Sequence, residues 1–255
     1  MLTLDESIIK KMLAKATSSE AFYSDIFAEQ RVATSIVLDD GKIEKISSGR
    51  DSGIGIRTLF EDTCHYAYSN DFSGSALLEL ASSVSPRGRN ERSRSMNLMK
   101  ENPSLSLPIE KPPSEIPLKT KIRLLQQAEN AARKFSRDIK QVTISYSDLI
   151  QELYIANSNK NSVSESRSYM LFSINVVATD GDSIQTGRET SGGMIGFELF
   201  EELDIEELSL RASERAIRML YSKNAPSGRM PVVISAEAGG TMIHEAIGHG
   251  LEADL

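Results

Sequence analysis

Apolar residues along the chain switch between two spacings. Leu4, Ile8, Ile9, Met12 and Leu13 recur three and four residues apart, on one side of a helix, and Asp5 and Glu6 stand at its start, where the dipole favours acids. From Ala21 to Asn70 the texture changes to short runs rich in Val, Ile, Tyr and Phe. Ile54, Ile56, Thr58 and Phe60 alternate as a half-buried strand does, and Asp39-Asp40-Gly41 predicts a hairpin turn. Ser73 to Val84 returns to helical spacing, with Leu77, Leu78 and Leu80 as its apolar positions.

Six of the eight prolines, at 86, 103, 108, 112, 113 and 117, then fall among serines and charges, a pattern that predicts a linker or long surface loop. Beyond it the helix-then-sheet pattern starts again. Ile122, Leu125, Ala128, Ala132 and Phe135 repeat at helical intervals, and Val142, Ile144 and Tyr146 alternate. Ser147 to Ala156, Val163 to Thr179 and Ser183 to Glu189 read as further strands, the last pair turning at Asp180-Gly181. Glu198, Glu201, Glu202, Asp204, Glu206 and Glu207 alternate with Leu199, Phe200, Leu203, Ile205 and Leu208 as the wet side of a helix would. Leu210, Ile217, Leu220 and Tyr221 suit a helix before Pro226, and Pro231 to Ser235 reads as a compact buried strand leading into a final helix. The expected fold is α+β: an N-terminal helix and antiparallel sheet (1–85), a Pro/Arg/Ser-rich linker (86–118), a second helix and sheet unit (119–227), and the start of a further domain (228–255).

Composition narrows the function. At 255 residues, 40% hydrophobic and 25% charged, the chain is long enough to bury a sizeable core. It has no apolar run long enough to cross a bilayer and no basic leader at Met1, so no membrane association and a cytoplasmic location are expected. One cysteine excludes an internal disulfide framework. A net charge of −7 opposes attraction to a nucleic-acid backbone, so no nucleic-acid partner is expected, and Arg87, Arg89, Arg92 and Arg94 read as a solvated loop. The glycines Gly187, Gly192, Gly193 and Gly196 lack the Lys-Ser/Thr ending of a phosphate loop. They are expected to form a flexible connection, with the wall of a substrate passage as the functional alternative.

The chemistry concentrates at His244-Glu245-Ala246-Ile247-Gly248-His249, which holds two of the three histidines around a glutamate. A catalytic zinc wants neutral imidazoles, an open position for water and a carboxylate to take that water's proton. The histidines are five apart, and on a regular helix five residues turn roughly 140° past a full revolution, which would splay the rings. A single wider turn brings position i+5 back over position i, and Gly248 and Gly250 would make it cheaper. On an undistorted helix Glu245, His249 and Glu252 would instead share a face, a carboxylate-rich set closer to an iron or manganese site. A purely structural reading keeps the histidines as packing residues beside Met242, Ile243, Ala246, Ile247 and Leu251. Cys64 and His65 are adjacent in a strand-like segment and point to opposite faces, so Cys64 reads as a small buried apolar residue.

The stretch from Ala238 to Asp254 resembles the His-Glu-x-x-x-His signature of the TldD/PmbA metallopeptidases, once described as modulators of DNA gyrase. Ser52-Gly-Ile-Gly-Ile-Arg57, Tyr66-Ala-Tyr-Ser-Asn-Asp71 and Asp180 to Arg188 resemble further segments of that family. The retained histidine motif is that of the TldD-like branch. The resemblance implies a zinc-dependent peptidase of unfolded or short peptides, with His244 and His249 as metal ligands and Glu245 as general base on metal-bound water. It implies a third ligand, a cysteine, from a C-terminal half beyond Leu255, and a PmbA-like partner subunit or a homodimer. Iron is the alternative metal. The alternative function is a non-catalytic partner or scaffold, or a fragment inactive without its C-terminal ligand.

Overall fold

The computed structural model describes residues 4–17, 21–85, 97–101 and 108–252, and the chain divides into two compact units, residues 1–221 and 222–255. In the first unit, α1 (Glu6–Ala16) begins where the Asp5 carboxylate accepts from the Ser7 N–H, and it buries Ile9, Met12, Leu13 and Ala16. Strands β1 (Tyr23–Asp39) and β2 (Lys42–Leu59) form a hairpin through Asp40 and Gly41, at φ of +48° and +79°. Positive φ at both central residues matches the twist of the flanking strands, which is why Gly41 follows an aspartate here. Then come β3 (Cys64–Ser69), α2 (Gly74–Ser83) with Ser73 accepting from the Ala76 N–H, and β4 (Met99–Glu101). A 3₁₀ turn at Pro113–Glu115 leads into α3 (Leu118–Phe135), β5 (Ile139–Asn157), β6 (Asn161–Thr179), β7 (Ile184–Gly193), α4 (Leu199–Glu202) and α5 (Ile205–Leu220).

The strands make one seven-stranded sheet in the order β3-β2-β1-β5-β6-β4, with β7 also pairing β6. The long strands are antiparallel, and β4 joins β6 in parallel at Asn161–Val163. Because β1 pairs with β5 from Asp25↔Asn157 to Asp39↔Thr143, the segments before and after the proline-rich stretch contribute to the same sheet. The fold is α+β, as the periodicity implies.

Strand length explains why one sheet carries two cores. The 17 residues of β1 extend over roughly 55 Å, longer than a single helix pair can cover. Ile26 and Ala28 at one end pack with Ile54 and Ile56 of β2 under α1 and α2. Ile36 and Leu38 at the other end pack with Ile144, Tyr146, Phe172 and Ile174 under α3 and α5. All four β1 positions are even-numbered, so both helix pairs cover the same face. Across the opposite face the odd positions are open, with Phe27 46% and Leu171 48% exposed.

Two buried polar contacts tie this unit together. Lys121 of α3 and Asp148 of β5 are both nearly out of water, with Nζ and Oδ2 2.5 Å apart, and the Tyr146 hydroxyl donates to the same oxygen at 2.6 Å. Burial, reinforced by Asp148, pushes the Tyr146 phenol well above its ordinary range and keeps it a donor. Glu198 does not lie on the wet side of a helix. Its buried carboxylate accepts from the backbone N–H groups of Gly196 and Lys111 at 2.9 Å each and of Glu110 at 3.4 Å.

The acidic run also breaks in two. Asp204 accepts from the Glu206 and Glu207 N–H groups as the cap of α5, which ends α4 at Glu202. The glycine cluster expected as a flexible connection is instead strand: Gly187 to Gly193 belong to β7. A Cβ on Gly187 would lie 2.0 Å from the Ala212 carbonyl oxygen, so this glycine lets α5 press directly on the sheet. Of the expected linker, Met99–Glu101 is strand and Pro113–Glu115 a turn, while Arg87, Arg89, Arg92 and Arg94 lie outside the described residues.

Candidate metal centre

In the second unit, Pro231 to Ser235 forms no strand, contrary to its apolar pattern, and Val232 and Val233 are exposed. A strand exists only through a hydrogen-bonded neighbour, and among the described residues none pairs with this segment. It runs into α6 (Ala236–Ile243), with Ser235 at the N-cap in extended conformation.

After Ile243 the helix widens. His244–Gly248 is a π-helical turn, followed by a 3₁₀ turn at His249–Leu251. The wider turn that a spacing of five requires is therefore present, and it brings the two imidazoles together edge to face, ring centroids 4.7 Å apart. One ligand atom from each of His244, Glu245 and His249 lies within 4.8 Å of the others. Gly248 does not loosen this turn through its backbone: its φ is −57°, an ordinary helical value, and a Cβ there would meet His244 Nδ1 at 3.4 Å, an ordinary contact.

Each histidine neighbour has a defined place. His249 Nδ1 lies 2.5 Å from Glu252 Oε1, and His249 Nε2 lies 3.5 Å from Glu245 Oε2. Glu252 thus accepts from Nδ1–H and fixes the tautomer whose Nε2 lone pair faces the cluster, an outer-carboxylate contact that the i, i+3 spacing signals in the sequence. Glu245 and Glu252 both meet His249, but on its two different ring nitrogens, and the set whose ligand atoms converge within 4.8 Å is His244, Glu245 and His249. The packing alternative lacks its packing, because Met242, Ile243, Ile247 and Leu251 are exposed. Two imidazole nitrogens beside a carboxylate are the donor types zinc takes, and they leave coordination positions open. Among the described residues no other cluster of three such side chains occurs.

Cys64 and His65 lie elsewhere, in the first unit. Cys64 is exposed rather than buried, because it opens the edge strand β3, and His65 packs on the Phe60 ring at 4.9 Å.

Residues 24–85 match the description PmbA/TldA metallopeptidase domain 1, and residues 111–220 match PmbA/TldA metallopeptidase central domain. A metalloprotease of Methanothermobacter thermautotrophicus is 34% identical over 239 residues, covering 91% of this chain and 51% of that protein. The chain belongs to the TldD/PmbA metallopeptidase family. A zinc metalloprotease TldD homolog of Saccharolobus solfataricus is 24% identical over 246 residues, 96% of this chain and 54% of its own length. The fold is shared with a Thermotoga maritima protein named as a candidate modulator of a DNA gyrase, at a TM-score of 0.69 and 19% identity over 88% of this chain and 50% of that one. The chain spans about half the length of the curated TldD/PmbA relatives it matches. Among the described residues no helix is long and apolar enough to cross a membrane.

Proposed function

We propose that this chain carries the ion-binding and water-activating residues of a zinc peptidase that cuts unfolded or short peptides. The observation that supports this reading most is the widened turn at His244–Gly248, which faces His244 toward His249 with Glu245 beside them. His244 and His249 hold the ion. Bound zinc supplies Lewis-acid chemistry, polarising the scissile carbonyl and acidifying a water. Glu245 takes the proton of the attacking water and passes it to the leaving amine. Glu252 keeps the His249 ring in the tautomer that offers Nε2 to the ion. The name of the zinc metalloprotease relative supports zinc over iron.

The third ligand, a cysteine, comes in this reading from sequence beyond Leu255, and a PmbA-like partner or a second copy encloses the site. A non-catalytic role for the chain taken alone is favoured by one observation: His244, Glu245 and His249 are all exposed, and the neighbouring Glu252 is turned to the His249 Nδ1. The test is hydrolysis of a reduced, carboxymethylated protein by the zinc-loaded enzyme and its Glu245→Gln variant. Cleavage lost in the variant with zinc retained supports the reading. Loss of zinc together with cleavage, or cleavage indifferent to the substitution, contradicts it.

A further inference from the structure

The open face of the sheet holds a cleft of about 570 Å³ between β1 and β3, with β2 as its floor. Register explains it. Phe27 of β1 is opposite Gly55 of β2, which is opposite Tyr68 of β3, and Glu29 is opposite Gly53. Asp51, two residues on, points to the same face. Two successive inward steps without a side chain therefore leave a furrow walled by Phe27 and Glu29 on one side and by Tyr66 and Tyr68 on the other.

The two glycines differ in their reason for being glycine. A Cβ on Gly55 would lie 2.6 Å from the Tyr66 hydroxyl oxygen, so Gly55 is what lets that ring lie across the strand. A Cβ on Gly53 would meet nothing closer than the Ser69 carbonyl oxygen at 3.6 Å. Internal packing does not require a glycine there, and the space above it is free. Tyr66 and Tyr68 stack at 6.3 Å between centroids, yet they are 64% and 77% exposed, leaving aromatic faces turned to solvent.

Charge selects the occupant. On this face Arg57 is already held by both oxygens of Asp25, and Arg31, opposite Asp51 across the strands, faces Glu29 at 3.9 Å. Glu29 receives the Gln151 amide at Oε1, with Arg31 3.9 Å from the same oxygen, and its side chain stays partly exposed. The Asp51 side chain has no hydrogen bond or ion pair among the described residues. A slot with aromatic walls and two carboxylates at one end suits a long aliphatic stem with a cationic head. The outer side of β3 also carries no strand among the described residues, so an extended backbone has an edge to lie along.

We infer that this cleft binds the lysine or arginine side chain of an extended polypeptide. The inference rests on the peptidase reading only for the polypeptide nature of the ligand. The probe is a dye-labelled nine-residue peptide of serine, threonine and valine with one central residue varied, titrated by fluorescence anisotropy into the whole chain carrying Glu245→Gln. Lysine and arginine versions should bind about tenfold more tightly than the norleucine version, and added salt should shrink that difference. Gly53→Val fills the slot without a backbone clash and should abolish the preference while the melting temperature stays put. If that variant misfolds, Asp51→Asn serves, with a several-fold loss expected. Equal affinity for lysine and norleucine peptides, or a preference untouched in folded Gly53→Val, would overturn the inference. Cleavage of peptides without any cationic preference sinks this inference alone, whereas cation-selective binding by a protein that never cleaves upholds it and sinks the peptidase reading.

Discussion

Glu252 has no place in a two-histidine motif, yet it is the side chain that decides how His249 presents itself. With Nδ1 donating to Glu252 at 2.5 Å, the ring can turn only Nε2 toward His244 and Glu245. Replacing the carboxylate by the amide in Glu252→Gln keeps a hydrogen-bond acceptor in reach but removes the negative charge that faces Nδ1. Zinc affinity, measured by competition with a chromophoric chelator, should fall about tenfold or more, the usual cost of losing an outer-shell partner. An unchanged affinity would reduce Glu252 to an incidental neighbour. This role is only half legible in the sequence. The spacing His249 to Glu252 announces a contact, but whether the glutamate touches the ring or the ion depends on which way the ring faces, and that is set by the turn preceding it.

At the scale of elements, His244–Gly248 was readable in advance because the constraint is geometric: imidazoles five apart meet only if the helix widens. Elements defined by partners far away in sequence were not readable in the same way. Pro231–Ser235 has the composition of a buried strand, but composition cannot supply the neighbour with which a strand must pair. Residues 198–208 have a helical rhythm, but the Asp204 carboxylate caps a fresh helix instead of continuing one. Gly187 looked like flexibility in one dimension and is a packing residue in three. Gly187→Ala drives a methyl into the Ala212 carbonyl, so α5 must lift from β7. Urea denaturation should show a loss of about 1–3 kcal/mol or more, as overpacking typically costs. Stability within a few tenths of wild type would mean that α5 is not seated where β7 needs a glycine.

For the whole molecule, the alternating positions of β1 and β5 announced strands but not that both belong to one sheet, since cross-strand register between residues more than a hundred apart leaves little local trace. The Glu198 clamp ties the segment before α3 to the loop between β7 and α4, and it makes stability depend on pH. Burial works against the Glu198 carboxylate, but the backbone N–H groups of Glu198 itself, Gly196, Lys111 and Glu110 hold its pKa below the ordinary 4.5. A carboxylate lowered in the folded state contributes stability that is complete above its unfolded pKa and fades as pH falls through the folded one. The difference in unfolding free energy between wild type and Glu198→Gln should therefore be constant above about pH 5 and shrink below the mid-4 range. A difference that grows on acidification would contradict the clamp.

The central claim is that two imidazoles share one ion across a widened turn while the acid between them does not ligate. Zinc affinities of the unsubstituted chain and of its His244→Ala, His249→Ala and Glu245→Gln variants, determined side by side by chelator competition, test it most directly. The account predicts that each alanine variant binds at least about tenfold more weakly, while Glu245→Gln stays close to wild type. Wild-type affinity in His244→Ala, together with loss of the ion in Glu245→Gln, would contradict it.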